Sequence, residues 1–564
     1  MSLNSFLLLF SFAILAYFLL VNLFYMVLFT LSFIELMRHQ LKARFATPTE
    51  ILRAKLVPPI SILAPAYNEE KGVVTSVRSL LALEYTQSEV IVINDGSTDG
   101  TLQVLQETFD LKKTARQYHP RLPTKNVRAI YRSRLEPSLF VIDKENGGKA
   151  DSLNAGINVS TFPLFCCVDA DSILERHSLL RIVHPFLESY TEVVATGGLV
   201  RVANGCKISH GKAVEVHASG RWLVDFQIVE YFRAFLSGRT GLSALNCLLV
   251  ISGAFGLFKK EPVIQAGGYR SDVVGEDMEL IVRLHRLMRQ RRQPYRISFV
   301  PDPVCWTEVP ESLRVLARQR NRWQRGLIES LHGNWRMLGN PRYGLVGLVA
   351  MPYFLLIECL SPAVEITGYL VFTLGIMRGA VEGWAFLAFF MLAAVMGVLL
   401  SLLALFLEEL AFKRYPKVKD LLRLLAAAVL ENFGYRQYLT LVRGRGLLDW
   451  ALGRKTWRQG GGAIAFPVFR PGRTEPELVR VRPDRPRTMK RKKEDRLIKY
   501  DQAQGTGVVV YYGPRTRAER LQADSLIVWT EGEKKALALD QLGYCAIGLT
   551  GVWGAHDPAA RKTT

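Results

Sequence analysis

Three acidic clusters and one arginine-rich stretch hold the residue types that act on phosphates and hydroxyls. They are Asp95 in Asn94–Gly100, Asp169-Ala170-Asp171, Gly275-Glu276-Asp277, and Gln319-Arg320-Asn321-Arg322-Trp323. Asp169 and Asp171 close the apolar run LFCCV. Alternate residues of a strand face one side, so the two carboxylates converge and Ala170 points away. Like charges that close need a cation between them. Hard Mg²⁺ or Mn²⁺, shared with substrate phosphates, suits such oxygens. Gly275-Glu276-Asp277 precedes an amphipathic helical pattern, Glu276–Gln290. Asp277 is either ordinary charge at a helix N-terminus or a general base near an acceptor hydroxyl.

Other positions fit a nucleotide. Tyr67 and Glu69, in Ala64–Glu69, follow the first apolar run. That is where strand ends open a ligand crevice in an α/β sheet. Tyr67 can stack on a base and Glu69 can accept from ribose or base, although a plain turn capped by Asn68 explains the segment equally. Asp95 can accept from base or ribose; the alternative is a turn in which Asp99 caps a helix. In Asn146–Asp151, backbone amides and Lys149 make a seat for a diphosphate, or Lys149 is a surface lysine at a helix start. A helix is expected from near Pro310, with Gln319, Arg322 and Trp323 on one face. Leu313, Leu316, Leu327, Ile328 and Leu331 supply apolar surface, and Arg314, Arg318, Arg320 and Arg325 supply charge. Arg322 can fork onto a diphosphate, Trp323 can stack on a sugar, and Gln319 can hold a hydroxyl. A basic interfacial helix with a tryptophan anchor accounts for the same pattern.

These residues need a scaffold, and the 564-residue chain is long enough for several domains. Its net charge is +21 although its mean hydropathy is slightly positive. That fits a membrane protein with a basic cytosolic face; nucleic acid is the competing explanation. Seven cysteines without a C-x-x-C pair read as reduced thiols, not a disulfide or zinc framework. Leu3 to Ile34 is almost wholly apolar and reads as a retained anchor, with Arg38, Lys42 and Arg44 placing its end in the cytosol. Short apolar runs (Ile60–Leu63, Val90–Ile93, Leu164–Val168, Ile297–Val300) alternate with helical patterns such as Glu70–Leu81 and predict a mostly parallel sheet. Tyr343–Met377 reads as an outward span and Trp384–Leu407 as the return; Leu421–Leu441 is a third span or an interfacial or re-entrant helix, with matching charge at its ends favouring the second. The expected divisions are a transmembrane anchor over 1–37 and a catalytic domain over 56–340 with an interfacial helix at 310–335. Transmembrane or interfacial helices follow over 341–445, then a basic disordered linker over 458–520 containing Lys490–Lys493, and a short α/β piece over 521–564.

The ordered set of Asp95, Asp169-Ala170-Asp171, Gly275-Glu276-Asp277 and QRNRW resembles the processive family 2 glycosyltransferases, which include synthases of cellulose, chitin, hyaluronan and poly-N-acetylglucosamine. The resemblance spans roughly Pro58 to Leu441. It implies an α/β GT-A (Rossmann-like) cytosolic domain embedded between transmembrane helices, a nucleotide-sugar donor of the UDP type, a glycan acceptor, and inversion at the anomeric carbon. It implies that Asp95 binds the nucleotide and that Asp171 holds the metal with help from Asp169. Asp277 becomes the base, and the QRNRW residues go to the acceptor and diphosphate. Ser252 and Gly253, in Ser252–Gly256, fall where the family lines the acceptor path. The expectation is a multi-pass enzyme of the cell membrane, its catalytic domain cytoplasmic, that extends a polysaccharide. A non-processive transferase to a lipid or lipid-phosphate acceptor is the alternative, against which QRNRW weighs. A membrane-attached nucleic-acid-binding protein and a scaffold with an inactive domain are further alternatives; no nucleic acid is expected for the main domain. Compared with cellulose synthases the chain has few membrane segments and no cyclic-dinucleotide barrel, which points to a homo-oligomer, an export partner or short products. Ser525–Gly551 resembles the start of a toprim-like domain of primases and replication proteins, with Glu531 as its first acidic residue. The later acidic pair of that fold is missing from the sequence, so an inactive remnant is expected.

Overall fold

The computed structural model describes residues 3–43, 57–170, 172–209, 212–379 and 382–453, and beyond them seven short strands between Ala463 and Leu549. The chain divides into two compact units, Met1–Arg454 and Lys455–Thr564. In the second, five short strands fall in the stretch expected as a structureless linker, and Glu531 ends a strand, Ile527–Glu531; the remainder of both expectations lies outside the described residues.

The first unit is built on one sheet of ten strands. In chain order its strands and one small hairpin are β1 (Ile60–Ala66), β2 (Ser88–Asp95), β3 (Leu111–Lys113), β4 (Val127–Ser133), β5 (Leu139–Lys144), β6 (Leu164–Val168), β7 (Ile173–Leu174), β8 (Glu192–Val202), the hairpin β9 (Lys207–Ser209) and β10 (Lys212–Glu215), β11 (Phe255–Lys259) and β12 (Tyr295–Thr307). The sheet order is β3-β4-β5-β2-β1-β6-β11-β8-β12-β7. β1, β2 and β6 are apolar and buried nearly throughout, as strands covered on both faces must be. The expected mostly parallel sheet is in fact mixed: β5-β2-β1-β6 and the β8-β12 pair are parallel, while every other pairing is antiparallel. Two connections cause this. A short turn joins β4 to β5, which forces a hairpin. β11 returns after a long excursion and inserts antiparallel between β6 and β8.

Eight helices recur below and are labelled in chain order: α1 (Leu3–Ala43), α2 (Lys149–Val159), α3 (Glu276–Gln290), α4 (Leu313–Gly333), α5 (Ser361–Met377), α6 (Gly383–Ala411), α7 (Val418–Leu430) and α8 (Tyr435–Ala451). The QRNRW helix α4 starts at Leu313, not near Pro310, because the Ser312 side chain caps it by accepting from the Val315 amide. Among the described residues, two helical stretches are long and apolar enough to cross a membrane, Leu7–Leu41 and Ala394–Ala411. The single outward span expected over Tyr343–Met377 is instead bent by 45° between Val346–Cys359 and α5. Pro362 in the first turn of α5 has no amide to continue the ladder. The Glu358 carbonyl that this frees accepts from Arg443, and two other carbonyls at the bend also find side chains: Tyr17 Oη donates to Leu356 O at 2.8 Å and Gln324 Nε2 to Cys359 O at 2.8 Å. Leu421–Leu441 resolves into α7 and α8, broken at Gly434 with φ 97°. At 13 residues α7 runs about 20 Å, short of the ~30 Å hydrocarbon layer. Arg201 on β8 pairs with Glu408 on α6 at 2.6 Å, and His39 on α1 meets Asp302 on β12 at 3.1 Å, so buried or half-buried polar contacts fix the sheet to the two apolar helices.

Candidate active site

The pocket forms where β6, α2, the segment before β11 and the start of α3 meet. Lys149, Ser252, Gly253, Glu276 and Asp277 line it, with Cys167 and Tyr269 behind; its volume is about 10 Å³, room for one water. Lys149 pairs with Asp169, and its Nζ lies 3.4 Å from the Gly253 carbonyl. A Cβ on Gly253 would stand 2.7 Å from Lys149 Nζ and 3.8 Å from Asp277 Oδ2. A residue with no side chain is therefore what leaves room for the base candidate and the ammonium to approach.

Burial opposes charge on Lys149, but Asp169, then Glu276 and Asp277, raise its pKa well above the usual lysine range. Burial raises the Glu276 pKa, and repulsion from Asp277 adds to this, while Lys149 and Arg322 pull the other way. Arg239 is a further cation acting on Asp277. Three carboxylates thus face Lys149, and among the described residues only Asp169 forms a direct ion pair with it. Asp277 sits in the first turn of α3, where the helix N-terminus favours its charge, and its Oδ1 accepts from the Met278 amide at 2.8 Å. Half-buried Asp169 follows the last residue of β6, so the alternating-face argument stops one residue early; Asp171 lies outside the described residues.

α4 packs on this pocket backbone to backbone. A Cβ on Gly326 would lie 2.8 Å from Gly275 Cα, and the Val274 amide donates to Glu329 at 2.7 Å. The helix has two faces. Arg322 and Trp323 are exposed. Arg320 is buried, pairs with Glu230 at 2.8 Å, and lays its guanidinium 4.2 Å from the Trp323 ring centre, covering one side of it. Gln319 is half-buried, and among the described residues its Oε1 has no partner. Asn321 donates to Asp449 of α8 at 3.1 Å, so the polar residues between the candidates tie the helix down.

The nucleotide-side candidates form a second, tighter group. Asp95 is buried, accepting from Gly147 N at 2.9 Å, Gly148 N at 2.7 Å and Lys144 Nζ at 2.6 Å. The amides expected to seat a diphosphate are therefore already used by Asp95. Asn68 does not cap the following helix, whose N-cap is Gly72; its Oδ1 accepts from the Thr98 amide at 2.8 Å instead. Together with Asp99, which accepts from Glu70 N at 3.2 Å, it stitches the Tyr67 loop to the Asp95 loop. Tyr67 is exposed and Glu69 half-buried beside it. Sequence reasoning missed Lys144, Asp151 and Tyr269. Their signals were a lysine ending a buried apolar strand and an aspartate inside the quoted Asn146–Asp151 segment. For Tyr269, whose backbone is held from both sides by Asn154, no such signal existed.

The profile of the family described as "Glycosyltransferase like family 2" matches residues 58–326, and that of "Domain of unknown function (DUF3854)" matches 521–563. The chain is 29% identical over 275 residues to the poly-beta-1,6-N-acetyl-D-glucosamine synthase of Staphylococcus epidermidis, covering 49% of this chain and 56% of that protein. It is 29% identical over 272 residues to the synthase of the same name in Staphylococcus aureus strain COL, covering 48% and 55%. The chain thus spans about half the length of the curated relatives it matches. Among solved structures it resembles a mannosyltransferase of Pyrobaculum calidifontis in complex with GDP-Man and Mn²⁺, with 19% identity, 73% of this chain and 99% of that chain covered, and a TM-score of 0.41.

Proposed function

Given a family 2 glycosyltransferase domain over residues 58–326, we propose that the chain is a membrane-bound inverting transferase that adds sugar from a UDP-sugar to a growing polysaccharide. The observation that carries this is that Asp277, Lys149 and Gly253 line one pocket, that Asp169 pairs with Lys149 there, and that the QRNRW helix packs against Gly275 beside it through Gly326. The two helical stretches long and apolar enough to cross a bilayer support the membrane-bound part of this reading.

Asp277 takes the proton of an acceptor hydroxyl. The deprotonated oxygen attacks the anomeric carbon in line, the bond to the diphosphate oxygen breaks, and no covalent enzyme intermediate forms. Lys149 and Arg322 neutralise the leaving diphosphate. Trp323 offers its uncovered face to a sugar ring, Gln319 its unpartnered oxygen to a hydroxyl, and Ser252 and Gly253 border the acceptor. Tyr67 and Glu69 flank the nucleotide, and Asp95 shapes that end of the site. Asp169 and Asp171 carry the hard oxygen donors that would hold a divalent ion. When bound, Mg²⁺ or Mn²⁺ supplies positive charge to the diphosphate.

The test is purified full-length protein in detergent with a panel of UDP-sugars and Mg²⁺ or Mn²⁺. UDP release with long products is the expected result. Products carrying a single added sugar would shift the acceptor to a lipid, and absence of UDP release across the panel would overturn the reading.

A further inference from the structure

Lys144 is fully buried, and all three of its N–H donors are used. Its Nζ lies 2.6 Å from Asp95 Oδ1, 2.7 Å from Asp151 Oδ1 and 2.6 Å from the Glu145 carbonyl. Each carboxylate holds a different piece of chain. Asp95, ending β2, takes the amides of Gly147 and Gly148. Asp151, in the first turn of α2, takes the Lys125 amide at 2.9 Å. The fit around Gly147 is tight, since a Cβ there would meet Asp151 Cγ at 2.5 Å. Gly148, at φ 88°, then turns the chain into α2 so that the next residue, Lys149, reaches Asp169 and Gly253.

We propose that Lys144 is a positioning residue. It pins Asp95 to Asp151 and so fixes the Asn146–Gly148 loop that aims the Lys149 ammonium into the pocket. The ammonium neutralises two carboxylates that would otherwise repel each other across the loop, and the loop geometry follows from satisfying both. Its part in sugar transfer rests on the proposed role of Lys149. The aim of Lys149 itself is read without any transfer.

The experiment measures the rate at which each lysine amine of the full-length protein in detergent is acylated by acetic anhydride, by peptide mass spectrometry. In the wild type, Lys149 is shielded by its pairing with Asp169. Lys144→Met should raise Lys149 acylation about tenfold, with other lysines unchanged, because a side chain no longer aimed into the pocket is open to the reagent. If Lys144→Met does not yield folded protein, Asp151→Asn carries the same measurement, since it removes one of the two anions Lys144 bridges. Unchanged Lys149 acylation in the folded variant overturns the proposal. The second arm is turnover across the same panel of UDP-sugars, read with the donor that gives the most UDP release. Lys144→Met should lower kcat/KM about 10–100-fold, yet add nothing further on a Lys149→Ala background. Multiplicative losses would mean that Lys144 acts by another route and would overturn the proposal. If the wild type itself transfers no sugar, the functional reading fails while the acylation arm still decides the role of Lys144.

Discussion

Two acidic clusters are joined through the first turn of α2, which carries Asp151 of one and the Lys149 partner of the other, and they differ in how their charge is met. Around Asp95 and Asp151 every carboxylate oxygen named above has a short donor, and the central lysine has no exposure. Around Asp169, Glu276 and Asp277 the Lys149–Asp169 pair is about one-third exposed, and among the described residues Glu276 and Asp277 have no direct ion pair, Arg322 and Arg239 acting on them from farther away. The first arrangement is complete within the protein, which suits a part that holds shape. The second leaves two carboxylates without a direct cationic partner, which suits a part that takes up ligands. Type of residue does not separate the two; the count of partners does.

The sharpest way to break that contrast is at Asp277. Asp277→Asn should lower transfer by roughly 10²–10⁴-fold while UDP affinity, read by calorimetry, stays close to wild type. Near-normal turnover would remove Asp277 from the unmatched group. Next in size comes a comparison on α4 itself. Arg322→Ala, on the exposed face, should lower kcat about 10²-fold without moving the melting temperature. Arg320→Ala should do the reverse: it strands Glu230 and uncovers Trp323, so the melt drops first. Equal melting curves for the two variants would erase the distinction between the faces.

Much of this could be read from the residues. The helix of α3 and the exposed Arg322/Trp323 face stand where spacing put them, because helix period is a local property. The mixed sheet was not legible, since β11 joins it through a partner set by a distant excursion and its five residues look like those of any buried strand. The break at Leu360 escaped notice for the opposite reason: hydropathy averages over Pro362 and registers only an apolar run. Least legible was the difference between Asp95 and Asp169. Both read as an aspartate after an apolar strand, and only the fold shows that Asp95 meets two amides and a lysine.

A smaller effect tests the same principle through pH. His285 on α3 is buried and neutral, bridging Tyr295 Oη at 2.6 Å and the Leu248 carbonyl at 2.9 Å, and burial pushes its pKa down from 6.5 to about 4. Between those values the unfolded chain binds the proton and the folded chain does not. Stability is therefore full above pH 6.5, falls as pH drops toward 4, and is lost by about 3 kcal/mol there. Denaturation of the protein in detergent at several pH values should show this slope, and His285→Gln should flatten it. A slope that survives the substitution would place the acid-sensitive group elsewhere.

The smallest predicted effect concerns what brings the two halves of the open cluster together. Gly326 of α4 and Gly275 before α3 touch through backbone, and a Cβ at 326 would lie 2.8 Å from Gly275 Cα and 2.9 Å from its nitrogen. Neither atom is at the end of a flexible side chain, so Gly326→Ala must push α4 and the Asp277 loop apart. Overpacking of this kind costs about 1–3 kcal/mol, visible as a lower melting temperature. Because the displaced loop carries Asp277 and the displaced helix carries Arg322, kcat should fall while UDP affinity, set mainly on the far side of the pocket, holds. Full turnover in a Gly326→Ala protein that has nevertheless lost stability would show that the base does not depend on α4 for its place. The open cluster would then be assembled from the sheet alone.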